Sequence, residues 1–153
     1  MDKQELLASA GKLKQVSDAA LSEYRSKSEL FVSKMNSMMI KRKDILKLVG
    51  EKNLEMMQDN HANHARFMTS IFAQYVPEVF VETILWVFRA YRSHGFTTNY
   101  WAAQLNQWIL IIQKELQPEI LREIKPYYEW MQVHIPIFVQ LSDDNLESEY
   151  KRH

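Results

Sequence analysis

Residues 77–95 read PEVFVETILWVFRAYRSHG, and how this stretch folds decides the class of the protein. Its β-branched and aromatic residues would suit a strand if taken alone. Pro77 opens the run and Gly95 closes it, however, and the segments on both sides carry helical periods. We therefore expect a largely buried helix over 78–93. Upstream, Leu54, Met57, His61, His64, Met68, Ile71 and Phe72 recur at helical spacing between Glu51 and Tyr75. Further upstream, Leu21, Tyr24, Ser28, Phe31, Met35, Met38, Arg42, Ile45 and Val49 keep the same period, with Ser17 as N-cap and Gly50 as stop. Ser28 and Arg42 interrupt that stripe, and the basic residues 41–43 sit in water or end one helical piece.

Downstream, Thr97 or Thr98 is placed to cap a helix over 98–116 that buries Tyr100, Trp101, Leu105, Trp108, Ile112 and Leu116. Pro118 starts the last helix, expected to reach Leu141 and to kink or break at Pro126 and Pro136. The chain has 153 residues with only 3 glycines and 4 prolines, so turns are scarce and long helices follow. The expected fold is all-α: one domain over 1–141 and a polar tail over 142–153 that frays.

Composition removes whole classes of function. Nineteen basic and nineteen acidic residues leave no net charge to draw in nucleic acid or an anionic membrane surface. Without cysteine there is no disulfide framework, thiolate zinc, iron–sulfur cluster or thiol nucleophile. No apolar run spans a bilayer and the amino terminus lacks a signal peptide's pattern, so a cytoplasmic protein is expected. Phosphate loops, nucleophile elbows and His-Glu-x-x-His are missing, and the chain is not expected to be an enzyme.

Candidate sites are few. His61 and His64 share one helix face beside Glu55 and Asp59, a spacing that can ligate a metal, but no second Glu-x-x-His is present and a structural or solvent-facing pair is the better reading. His94 precedes Gly95 at a helix end, where a cation is favoured, and His134 lies in an aromatic helix. The methionines suit an adaptable core. The aromatic residues are the strongest peculiarity, with Trp86, Trp101, Trp108 and Trp130 all in the second half. They build either a large core with a subunit interface or a pocket for a flat apolar ligand.

Between residues 54 and 112 the order of landmarks resembles the bacterial globin-coupled sensor and protoglobin family. Gln58-x-x-His61 is followed by Phe67, Phe72 and Tyr75, and then by Gly95-Phe96-Thr97-Thr98-Asn99-Tyr100-Trp101. The last stretch is similar to the family's Gly-Leu-x-Pro-x-Trp-Tyr, and to the non-haem globin domains of stressosome sensors. The resemblance implies a globin-like sensor domain. It implies a homodimer built from residues 98–116 and 118–141, and signalling to a downstream protein or fused output domain. It also implies a pocket near Trp86, Phe88, Tyr91, His94 and Trp101, for haem or for an apolar molecule such as a fatty acid. Tyr91 falls where haem-binding members carry their iron-ligating histidine, so His94 is the first axial candidate, Tyr91 the second, and a haem-free domain the favoured form.

Overall fold

Eight helices follow one another: α1 (Lys3–Ala10), α2 (Asp18–Ile40), α3 (Ile45–Val49), α4 (Leu54–Ala73), α5 (Pro77–Ser93), α6 (Thr98–Glu115), α7 (Pro118–Val133) and α8 (Ile135–Lys151). They belong to a computed structural model that describes the backbone of residues 1–151 and the side chains of residues 1–143. No strand occurs among the described residues. The 77–95 stretch is helical, with Pro77 in its first turn and Gly95 just past its end. Gly95 adopts φ +105°, a backbone state that side-chain-bearing residues avoid, and this lets the chain turn sharply into buried Phe96.

Helix starts and stops follow local chemistry. Ser17 caps α2, its Oγ accepting the Ala20 N–H at 3.1 Å. Glu123 of α7 accepts the backbone N–H and the hydroxyl of the same serine at 2.7 and 2.8 Å, joining the start of α2 to α7. The stripe over residues 17–49 does not form one helix. α2 stops at Ile40, the charged residues 41–43 are exposed, and α3 resumes at Ile45. The seam also drifts, so that Met39 is buried in place of exposed Met38.

Of the two late prolines, only Pro136 coincides with a break. α7 ends at Val133, and Pro136 lies in the first turn of α8, where a missing N–H costs nothing. Pro126 is accommodated inside α7. α8 continues past the expected boundary at 141, because no glycine or proline follows Pro136 to stop it. The rest of the expected tail, the side chains from 144 and all of 152–153, lies outside the described residues.

α2 is the central strut, packed on α4, α6 and α7, while α6 lies on α7, and α5 packs on α8 and α1. All six apolar positions expected to be buried on α6 are buried. Large rings dominate this core: Trp108, Tyr24, Tyr100, Tyr127, Tyr128, Phe31 and Phe72 are wholly enclosed. They meet edge to face, as Tyr24 does with Phe31 at 5.3 Å and with Phe72 at 5.0 Å. Such pairs add about 0.5–1.5 kcal/mol each to the area they bury.

Asn53 fixes the loop side of the fold. Its Nδ2 donates at 2.7 Å to the Val49 carbonyl at the end of α3 and, also at 2.7 Å, to the His94 carbonyl at the end of α5. Two helix C-termini thus share one amide. Asn53→Ala is expected to cost about 1–3 kcal/mol, measured by urea unfolding, because it strands both carbonyls. An unchanged midpoint would refute the shared clamp.

Candidate functional site

α4 and α5 touch where Phe67 stacks on Phe80 at 5.9 Å, and further along only Asn63 Nδ2 reaches the Tyr91 hydroxyl, at 3.5 Å. Between these points lies a cavity of about 210 Å³. α4 contributes Asn60, Asn63, His64 and Phe67 to its wall, and α5 contributes Thr83, Ile84, Trp86, Val87, Phe88 and Tyr91. α6 supplies Trp101, Gln104 and Leu105, and Met131 and Phe138 of α7 and α8 complete it. No Asp, Glu, Lys or Arg lines it among the described residues.

Its back wall is aromatic and rigid. Phe88 stacks on Trp101 with centroids 4.3 Å apart and planes 14° from parallel, and Phe138 meets Phe88 edge-on at 5.3 Å. Trp86 stands at the mouth, 58% exposed. Exposed Asn63 faces it from α4.

Its floor, formed by Asn60, His64 and Gln104, is polar, and buried tyrosines outside the lining hydrogen-bond to it from behind. Tyr24 and Tyr128 share a hydrogen bond of 2.7 Å between their hydroxyls, and Tyr128 in turn meets His64 Nε2 at 2.9 Å. The His64 ring also packs on Trp108, 4.6 Å away. Beside this chain, Asn60 Oδ1 accepts from the Tyr100 hydroxyl at 2.7 Å and from Gln104 Nε2 at 3.4 Å. Tyr100 lies 3.4 Å from His61 Nε2, and the other ring nitrogen of His61 pairs with Asn36 at 2.7 Å.

Burial sets the charge state of this floor. His61 is fully buried and pushed down to about 4 by loss of water; burial, assisted by nearby His61, takes His64 to about 3. Burial likewise pushes the Tyr24, Tyr100 and Tyr128 hydroxyls well above the ordinary phenol range. Every one of these groups is neutral near pH ~7.

Four of the five pocket residues expected from sequence, Trp86, Phe88, Tyr91 and Trp101, do line the cavity. His94 does not. It is exposed at the C-cap of α5, outside the wall, because the helix ends before its side chain can turn inward. A tetrapyrrole held by His94 does not fit this geometry. The only imidazole in the wall is His64 on α4, whose Nε2 is engaged by Tyr128, and about 210 Å³ is below the roughly 300–1,000 Å³ of common ligand pockets.

The two candidate metal ligands are placed close together on α4. Three of the four ring nitrogens of His61 and His64 meet Asn36, Tyr100 and Tyr128, His64 Nδ1 being the exception, and no group of three metal-ligating side chains occurs among the described residues. Asn60 and Gln104, both buried polar side chains in the wall, were missed by the sequence. The signal available was their place on the apolar faces of α4 and α6. No family model, curated protein or solved structure matches the chain.

The two histidines make stability depend on pH with a definite sign. The unfolded chain protonates them near pH ~6.5 while the fold keeps them neutral. Below that pH the unfolded state therefore binds more protons, and stability falls as the pH drops, by at most about 1.4 kcal/mol per unit for each. Urea unfolding at pH 7, 6 and 5 is expected to give decreasing stabilities; a flat profile over this window would contradict neutral burial.

Proposed function

We propose that the chain is a globin-like sensory or signalling domain that holds a small, largely apolar effector without haem and pairs with a second copy of itself. The observation that carries this is the cavity between α4 and α5, apolar-walled and open at Trp86. The helix order gives further support: a long α2, a five-residue α3, and then five longer helices, with α2 packed on α4 and α6 and with α6 on α7. A set of eight helices packed pairwise around a pocket is how globins are arranged.

A route from cavity to surface supports a signalling role over mere storage. Arg92, one residue past Tyr91, pairs with Asp143 at 2.6 Å and donates to the Ser142 hydroxyl at 3.2 Å, so α5 is latched to α8. Phe138 of α8 lines the same cavity. An effector that binds two positions of α5 unequally would shift the α5–α8 pair, and with it whatever docks there. The output is a downstream signalling protein or a fused domain.

Pairing is assigned to α6 and α7, whose outward faces carry Leu110 at 59% and Val133 at 71% exposure. Sedimentation is expected to show a dimer that Leu110→Glu with Val133→Glu converts to monomer. Wild-type protein that is monomeric at every concentration would remove this element. For the effector, ethylbenzene is expected to raise the Tm of the wild type and to leave Val87→Trp, which fills the cavity, unchanged. Failure of every apolar ring compound to shift the wild type would overturn the effector reading.

A further inference from the structure

The polar floor of the cavity has open valences, and counting hydrogens shows which they are. Tyr24 has no acceptor among the described residues other than the Tyr128 oxygen. If His64 Nε2 carried the proton and donated to Tyr128, Tyr128 would donate to Tyr24, and the Tyr24 hydrogen would be buried without an acceptor. That arrangement wastes a hydrogen bond in a place where water cannot replace it. The chain therefore runs the other way, from Tyr24 to Tyr128 to His64 Nε2, and the neutral imidazole carries its proton on Nδ1.

His64 Nδ1–H has no partner among the described residues, and it is not among the fully enclosed unpaired atoms, so it is open to the cavity that His64 lines. The same holds for two amide atoms beside it. Asn60 uses only Oδ1, which accepts from the Tyr100 hydroxyl and from Gln104 Nε2, and Gln104 uses only that Nε2. Asn60 Nδ2 and Gln104 Oε1 are left to the cavity. Trp101 Nε1, in the adjoining wall, is buried and unpaired as well. One end of the cavity thus offers donors and one acceptor, and the other end only rings and aliphatic groups.

We propose that the effector is a neutral, ring-sized molecule bearing one carbonyl or hydroxyl oxygen, oriented by His64 Nδ1–H and by the open amide atoms of Asn60 and Gln104. This deepens the proposed function and rests on it. Size supports it: an apolar cavity of about 150 Å³ accepts benzene, so about 210 Å³ takes a ring with a short substituent. Charge supports it too. No side chain of either sign lines the wall among the described residues, and a carboxylate or ammonium brought to the floor would be buried without a counter-charge.

The test compares three probes of nearly one shape by calorimetry and thermal shift on the whole chain: acetophenone, ethylbenzene and benzoate. Acetophenone is expected to bind about tenfold tighter than ethylbenzene, the worth of roughly one added hydrogen bond, and benzoate weaker than both. Tyr24→Phe, His64→Phe and Tyr128→Phe combined, which removes the hydroxyl–imidazole chain without stranding any member, should lose most of the preference for acetophenone over ethylbenzene. Equal affinity of acetophenone and ethylbenzene for the wild type would overturn the polar recognition while leaving an apolar effector in place. Tightest binding of benzoate would overturn the neutral requirement. If none of the three binds, both this inference and the effector reading fall. Should the triple variant not fold, the ratio between the probes on the wild type still decides.

Discussion

Two neutral imidazoles, His61 fully buried and His64 half-buried, tie this fold together through directional hydrogen bonds. His61 and His64 stand one helical turn apart on α4, where water is lost to both. Each must find partners inside the protein, because an unpaired buried polar group costs several times what a made hydrogen bond returns. Asn36 on α2, Tyr100 on α6 and Tyr128 on α7 supply them. The position of α4 against α2, α6 and α7 is thereby fixed in register as well as in distance, since hydrogen bonds are directional and apolar packing is not.

The cavity is the complement of that arrangement. α4 is drawn towards α2 and the polar cluster, while α5 is held by α8 and α1 on the other side. Arg92 fastens one end of α5 to α8 through Ser142 and Asp143, and Lys3 of α1 pairs with Glu82 nearer its start. Two helices anchored to different partners leave space between them, and the rings of Phe88, Trp101 and Phe138 prop it open by stacking on one another instead of filling it.

Legibility in the sequence follows from the range of the physics involved. The 77–95 helix, the six buried positions of α6 and the Ser17 cap were readable, because periodicity, proline, glycine and capping hydroxyls act within a few residues. The interruption at 41–43 was readable too, from its run of charge; the exchange of Met38 for Met39 was not, since seam drift depends on where α4 and α6 press against it. Four pocket residues were found through the aromatic pattern and the family resemblance. His94 was not among them, because it lies at the exposed C-cap of α5, outside the cavity wall.

Local sequence determined that this chain is helical, where most of its helices begin and end, and that its second half is built from large rings. Tertiary structure alone decided that His61 and His64 are hydrogen-bonded and neutral, that Asn60 and Gln104 line a cavity, and that His94 does not. The reason is reach. Helix signals act over one or two turns, whereas the partners of these groups lie from 25 to 64 residues away along the chain, and only folding brings them within bonding distance.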